Sequence, residues 1–293
     1  MNRENKATIE KKRIALSSVI AAVFLTTFKL LIGISTGSLG ILSEALHSSL
    51  DLIAALITFI AVRISDNPAD KEHNFGHGKI ENFSALAETL LLVITCAWII
   101  YEAIHRILTH NIKIEITAWS FIVVIVSIII DFSRSRSLLK VAKKYNSKAL
   151  EADALHFSTD IWSSSVVLIG LIGVSFHFYL ADAIAALFVA VIVLYISYRL
   201  GKKSFDALVD RAPQGLYESI NQIIKNISEV KGFHNIRIRE AGSKRFIELN
   251  IHVDNNMTID EAHHISHKVE DAIENEIENS EVMVHTEPEI END

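Results

Sequence analysis

Two near-identical octapeptides hold the side chains best suited to chemistry in this chain. One reads ALHSSLDL over residues 45–52, and the other reads ALHFSTDI over residues 154–161. Each places a His and an Asp four residues apart, His47 with Asp51 and His156 with Asp160. Residues at that spacing share one face of an α-helix, so each copy presents an imidazole beside a carboxylate. Together the two pairs supply two nitrogen and two oxygen ligands, a set that suits a tetrahedral divalent metal ion.

Both octapeptides lie inside long apolar segments. Half of the 293 residues are hydrophobic and the mean hydropathy is positive, which is typical of a polytopic α-helical membrane protein. About 20 mostly apolar residues span a bilayer, and ionisable groups within such spans usually face the bundle interior and mark an ion path. The pattern predicts six transmembrane helices, at 14–36, 39–64, 83–107, 116–132, 149–176 and 180–200.

Basic residues predict how these spans are oriented. They cluster before the first span, between the second and third, and between the fourth and fifth, whereas the opposite connections hold only Arg106 and Lys113. The cluster predicted in the fourth-to-fifth connection comprises Arg134, Arg136, Lys140, Lys143, Lys144 and Lys148. Because positive charge is retained in the cytoplasm, we expect both termini there.

Under this topology the second and fifth spans run antiparallel. At about 1.5 Å per residue, His47 and Asp160 reach the same depth, and so do Asp51 and His156. Adjacent helices would therefore bring all four groups together near the membrane midplane. The alternative is a purely structural role, in which each His–Asp pair only forms hydrogen bonds within its helix or to its neighbours.

The chain changes character near residue 204. From there it holds 19 acidic and 8 basic residues, against 16 acidic and 20 basic before it. Periodicity predicts a helix at 215–227, strands at 235–240 and 245–253, a helix at 259–277 and a strand at 282–285. The order αββαβ indicates a small cytoplasmic α+β domain, ferredoxin-like or metallochaperone-like, over 204–293, after a membrane domain over 1–203.

Several function classes are disfavoured by what the sequence lacks. The acidic C-terminal part argues against nucleic acid as a partner. A single cysteine, Cys96, argues against redox chemistry, and the absence of a GxxxxGK[ST] motif argues against a nucleotide cofactor. A membrane hydrolase using His and Asp would need a nucleophile motif that is missing. We therefore expect a secondary transporter rather than an enzyme.

The segment 68–79, PADKEHNFGHGK, completes a specific pattern. With the octapeptides, the spans and the acidic domain, it closely resembles the cation diffusion facilitator family over nearly the whole chain. The resemblance implies a homodimer in the lipid of the inner cell membrane that exports divalent metal ions in exchange for protons. It also implies that His47, Asp51, His156 and Asp160 form the transport site, with a His-Asp/His-Asp set similar to that of zinc transporters.

The resemblance implies two further metal sites. One is in the loop, where the spacing of Asp70, His73 and His77 lets them converge; a solvated polar loop is the alternative. The matching Lys79 would pair with Asp210.

The other site is a regulatory centre in the C-terminal domain. The matching positions are His234, His263, His285 and Glu287. The sequence departs at Asn250, where some relatives place a bridging His. His252, two residues further along the same strand face, is a candidate substitute, and a mononuclear or a binuclear centre stays open.

The identity of the metal depends on the donor set. Two imidazoles and two carboxylates suit Zn²⁺ or Co²⁺, whereas Mn²⁺ prefers more oxygen ligands. We expect Zn²⁺, with Fe²⁺, Co²⁺, Cd²⁺ or Mn²⁺ as alternative cargo. An alternative of another class is a membrane metal sensor or scaffold that does not transport.

Overall fold

The computed structural model describes residues 3–36, 39–109, 118–175 and 180–289. The chain forms two compact units. The first, the helical unit, comprises Met1–Pro68 and Ile80–Phe205, and the second, the mixed unit, comprises Ala69–Lys79 and Asp206–Asp293. The connection between the second and third predicted spans thus groups with the C-terminal residues.

Each predicted span corresponds to one long helix. The helices are α1 (Arg3–Thr36), α2 (Leu39–Ser65), α3 (Lys79–Thr109), α4 (Ala118–Tyr145), α5 (Lys148–Ser175) and α6 (Leu180–Leu208). Three of them contain stretches long and apolar enough to cross a membrane, Lys6–Ser35, Glu44–Ser65 and Lys79–His105, among the residues that the structure describes. The other three spans stay predictions, and residues 116, 117 and 176 of those spans lie outside the described residues.

The basic cluster expected in the fourth-to-fifth connection is on helices instead. Five of its residues belong to α4, the sixth begins α5, and only Asn146 and Ser147 separate the two helices. Backbone hydrogen bonding continues past the last apolar residue, so a helix does not end where its hydrophobic stretch ends. Asn146 makes the reversal with a positive φ of 50°.

Small side chains let the helices of the helical unit approach closely. The buried core between α1, α2, α4 and α5 is rich in alanine, including Ala15, Ala22, Ala55 and Ala154, with Phe157 as a large filler. Such interfaces are typical of membrane helices, where close backbone contact replaces the hydrophobic effect. Helix α1 packs on α2, α4 on α5, and α2 on α5, which places the two octapeptides on neighbouring helices.

A buried polar network ties four segments of the helical unit together. The Lys11 ammonium donates to Asp66 and, at 3.2 Å, to Glu81. The Glu81 carboxylate also accepts from Ser65 at 3.2 Å and Ser147 at 2.6 Å. Because a buried charge is tolerated only when it is paired, this network fixes α1 against the end of α2, the start of α3 and the α4–α5 turn.

The mixed unit has the element order predicted from the sequence. It contains α7 (Leu216–Lys225), β1 (Gly232–Ala241), β2 (Lys244–Val253), α8 (Ile259–Glu276) and β3 (Ser280–Pro288). The sheet order is β1-β2-β3, with β1–β2 antiparallel and β2–β3 parallel. Alternation along β2 sends Ile247, Leu249 and Ile251 into the core with α7 and α8, and Asn250 and His252 to the opposite face.

Helix α8 is held at its start and along its side. A capping box joins Thr258 and Glu261: the Glu261 N–H donates to the Thr258 hydroxyl, and the Thr258 N–H donates to the Glu261 carboxylate. Further along, the carboxylates of Glu270 and Glu274 accept the N–H groups of Val284 and Val282, each at 3.2 Å. These contacts satisfy edge donors of β3, which would otherwise be open to pairing.

The segment Ala69–Lys79 packs on the β1–β2 hairpin. The Phe75 ring meets Phe246 edge-on, with centroids 5.2 Å apart, and the Arg239 guanidinium lies 3.7 Å above the Phe75 ring. The expected partnership of Lys79 and Asp210 is present as an ion pair of 2.8 Å. A Cβ atom on Gly78 would overlap the carbonyl oxygen of Ala241, so only glycine fits there.

We predict that Gly78→Ala destabilises the mixed unit. The added methyl group forces the segment away from the hairpin, and we expect a cost of about 1–3 kcal/mol, as for other overpacked sites. The measurement is the thermal unfolding midpoint of the purified chain. The matched control is Gly232→Ala, whose Cβ would be at an ordinary 3.6 Å from the His252 ring. Equal midpoints for the two variants would show that the tight contact at Gly78 is absent in solution.

Candidate metal centres

The two octapeptides meet inside the helical unit. His47 Nε2 lies 3.5 Å from Asp160 Oδ1, and His156 Nε2 lies 3.1 Å from Asp51 Oδ1. Within each helix the His–Asp separations are longer, at 3.9 Å in α2 and 3.8 Å in α5. The shorter contacts therefore cross between the helices, in the pairing that the antiparallel topology predicts.

The separations between these atoms fit a single bound ion. Metal–ligand distances of about 2.0–2.2 Å at tetrahedral angles put ligand atoms about 3.3–3.6 Å apart. Donor atoms of His47, Asp51 and Asp160 all lie within 4.8 Å of one another, and His156 contacts both carboxylates. Asp160 Oδ2 and His156 Nδ1 are buried without a hydrogen-bond partner in the described part of the chain. A purely structural His–Asp pair would leave fewer polar atoms unsatisfied.

Polar groups that are not themselves candidate ligands support α5 next to its octapeptide. Arg134 donates to the Ser18 hydroxyl at 3.0 Å, and Ser18 donates to the buried Asp153 carboxylate at 3.1 Å. The Arg134 guanidinium also lies 3.4 Å above the ring of Phe157, the residue next to His156, and 3.3 Å from Asp131. The hydropathy pattern places Arg134 in a connection between spans, so this role does not follow from the pattern. The sequence feature that could have indicated this role is Asp131, an acid three residues before Arg134 in an apolar run.

Two further acids in the helical unit have partners of their own. Glu44, three residues before His47, forms a 3.1 Å ion pair with the buried Lys29. Glu88 of α3 is fully buried and accepts hydrogen bonds from Thr58 and Ser84. These contacts hold α1 against α2 and α2 against α3. Neither acid is among the grouped ligand atoms of the described residues.

The three loop candidates converge in the mixed unit. Asp70 Oδ1 lies 3.3 Å from His73 Nδ1, and Asp70 Oδ2 lies 3.5 Å from His77 Nε2. The carboxylate accepts the backbone N–H groups of His73 at 2.6 Å and Glu72 at 2.9 Å. These hydrogen bonds, that of His73 first, lower the pKa of Asp70, so the group stays ionised and available to a cation.

A second cluster of candidate metal ligands lies on the polar face of the sheet. Glu287 Oε2 lies 3.4 Å from His252 Nε2 and 3.6 Å from His234 Nε2. Asn250 donates to the other oxygen of Glu287 at 2.7 Å and so orients the carboxylate. The strand register explains the convergence, because β2 is central and pairs His252 with Glu287 on one side and Asn250 with His234 on the other.

This arrangement differs from the set implied by the family resemblance. His252, the candidate substitute, joins His234 and Glu287 in the convergent group, whereas His285 lies 3.6 Å from Glu287, is largely exposed and is outside that group among the described residues. His263 is instead beside His267 of α8. A β-bulge, with Asn235 at φ 53°, shifts the register after His234. Bulges re-aim side chains, and strand periodicity does not predict their position.

Known proteins resemble the chain over almost its full length. A family model described as the cation efflux transmembrane domain matches residues 15–209, and one described as the cation efflux protein cytoplasmic domain matches residues 212–289. The cation-efflux pump FieF of Cronobacter sakazakii is 31% identical over 277 residues, covering 94% of this chain and 92% of the relative. FieF of Salmonella agona is 31% identical over 296 residues, with 98% and 95% covered.

Solved structures also match part of the chain. One of them is the metal-bound C-terminal domain of the CzcD transporter from Thermotoga maritima, 32% identical, covering 25% of this chain and 86% of that chain with a TM-score of 0.24. The family assignment rests on the two family models and the full-length relatives. The chain belongs to the cation efflux family, the cation diffusion facilitators.

Proposed function

We propose that this protein exports divalent metal cations, with Zn²⁺ preferred, from the cytoplasm in exchange for protons. The observation that carries the proposal is the pair of contacts between α2 and α5, His47 with Asp160 and His156 with Asp51, in the interior of the helical unit. Membership of the cation efflux family and the resemblance to the cation-efflux pump FieF support it.

The donor chemistry supports exchange of the cation against protons. Two carboxylates neutralise one divalent ion, and two imidazoles complete a tetrahedral nitrogen–oxygen set. Each imidazole has a carboxylate of the other helix within 3.5 Å. Since a metal ion binds only the deprotonated nitrogen, metal entry releases protons and proton entry releases metal. Alternating access to opposite sides would convert this competition into antiport.

We further propose the setting in which the exchange occurs. All six long helices span the inner cell membrane, both termini are cytoplasmic, and the protein acts as a homodimer. The membrane domain comprises residues 1–203 and the cytoplasmic domain residues 204–293. The loop cluster of Asp70, His73 and His77 and the sheet cluster of His234, His252 and Glu287 bind regulatory metal ions. Their three-ligand geometry in the mixed unit supports this role.

Removing either carboxylate from the transport site should abolish flux. We expect Asp51→Ala and Asp160→Ala each to reduce zinc uptake by about 100-fold or more, because lost ligands cost at least as much as lost outer-shell partners. The measurement is zinc uptake into proteoliposomes under an imposed pH gradient.

The matched control for this flux assay is Asp271→Ala, an exposed aspartate of α8 that should leave flux unchanged. Uptake by the two site variants at the wild-type rate would refute the proposed site. Zinc that binds to the wild-type protein but never crosses the membrane would support the sensor alternative.

Changing the donor atoms should change the preferred metal. The variant with His47→Asp and His156→Asp offers four carboxylates, and we expect its zinc-to-manganese flux ratio to fall by about tenfold, because oxygen ligands suit Mn²⁺. Both fluxes are measured in the same proteoliposomes, and residual transport of either metal shows that the variant is folded. A ratio identical to that of the wild type would show that selection occurs elsewhere.

The geometry of the sheet cluster predicts a larger contribution to zinc binding from His252 than from His285. In the full-length chain carrying Asp51→Ala and Asp160→Ala, we expect His252→Ala to weaken zinc binding to the sheet by about tenfold or more, since it removes one of three convergent ligands. His285→Ala, the matched control on the neighbouring strand, should have a smaller effect. The measurement is titration calorimetry. A larger effect of His285→Ala would favour the centre implied by the family resemblance.

A further inference from the structure

The outward face of α8 holds an imidazole pair that belongs to none of the three ligand groups described above. His263 and His267 are exposed and four residues apart, so the helix itself places them on one face. Their ring centroids are 4.3 Å apart, and their Nε2 atoms are 3.1 Å apart. Helix α8 is fixed in the core by three buried residues, Ile265, Val269 and Ile273. The backbone that carries the two histidines is therefore held in place.

The separation of the two nitrogens is that of two ligands on one ion. Zinc–nitrogen bonds of about 2.0–2.1 Å at the tetrahedral angle put two ligand nitrogens about 3.3 Å apart. Both rings present Nε2, so neither needs to turn over to bind a common ion. A regular helix supplies the arrangement locally, and it needs no contribution from another strand or helix.

A carboxylate fixes one of the two rings in the metal-binding form. Glu270 Oε2 lies 2.8 Å from His267 Nδ1. An ionised carboxylate only accepts hydrogen bonds, so His267 Nδ1 is the donor, and in the neutral ring the lone pair is then on Nε2. Ligating histidines commonly have such a carboxylate on the second nitrogen, which sets the ring orientation and raises its basicity. Glu270 is itself held by the Val284 N–H through its other oxygen.

The hydrogen bond between the rings of His263 and His267 lies where an ion bound to both rings would lie. With a lone pair on His267 Nε2, His263 Nε2 is the donor, and a single proton lies between the two nitrogens. A divalent cation can take the place of that proton when the proton moves through solvent to His263 Nδ1, so that both rings stay neutral. The exchange makes two nitrogen–metal bonds and one N–H bond, breaks one N–H bond and the hydrogen bond between the rings, and releases two waters from the aqueous ion.

We propose that His263 and His267, oriented by Glu270, form an exposed chelating site for a nitrogen-preferring divalent cation such as Zn²⁺. Two protein ligands leave two coordination positions for water or a small cytosolic ligand, so the ion at this site exchanges readily. The site differs from the sheet cluster, whose ligands are His234, His252 and Glu287. It uses His263 with a partner on the same helix.

The test is zinc protection of individual histidines in the full-length protein in detergent micelles. Each histidine is modified with diethylpyrocarbonate with and without Zn²⁺, and its rate is measured by mass spectrometry of the peptides. We expect zinc to slow modification of His263 and His267 together by about tenfold or more. The adjacent His264 is the internal control. It is exposed and lies 3.9 Å from Asp260, with no second imidazole at chelating distance among the described residues.

Three variants separate this site from the alternatives. His267→Gln should abolish the protection of His263 and remove one zinc ion per chain in equilibrium dialysis. Glu270→Gln, which keeps an acceptor oxygen for Val284, should shift the protecting zinc concentration upward by about 10–100-fold. His264→Gln should change neither value. Zinc-independent modification of His267, or His263 protection that persists in His267→Gln, would overturn the proposal and assign His263 to another centre.

Discussion

Ionisable side chains in an apolar interior are stable only when each finds a partner, and this constraint shapes the helical unit. His47, Asp51, His156 and Asp160 satisfy it across two helices, because the contacts between helices are shorter than those within them. A shift of α2 along α5 by one turn would separate two carboxylates and two imidazoles, three of them buried, from these partners. The pairing therefore sets the register of the two helices as well as the candidate ion site.

The rest of the helical unit keeps that register. Alanines let the backbones of α1, α2, α4 and α5 approach closely enough for short side chains to meet. Arg134 links α4 to α1 through Ser18 and covers the ring beside His156, while Glu81 draws Lys11, Ser65 and Ser147 together. Both Arg134 and Glu81 are buried charged residues, and hydrogen bonds offset this burial, two at Arg134 and three at Glu81. A polar framework of this kind can hold ligand side chains in place when the cation leaves.

In the mixed unit the candidate ligands lie on solvent-facing surfaces. Burial therefore does not fix their positions, and the backbone of the strands and of α8 positions them instead. The central strand β2 directs the half-buried Asn250 and His252 to one face and buries Ile247, Leu249 and Ile251 on the other. Neighbouring strands then add His234 and Glu287 at fixed register. On α8 the same task is done by helix periodicity, which sets His263 and His267 at chelating distance. Each cluster also has a group that orients a ligand, Asn250 in one and Glu270 in the other.

Local periodicity determined much of this protein from the sequence alone. It gave the long apolar helices, the αββαβ order, the two His–Asp pairs and, through antiparallel depth counting, their pairing, because repeats of 3.6 and 2 residues place side chains without any knowledge of distant contacts. Tertiary structure decided the rest. The roles of Arg134 and Glu88 depend on which helices pack together, and the grouping of His252 with His234 and Glu287 depends on a β-bulge and on strand register. Those features arise from contacts between residues far apart in the chain, which no local pattern encodes.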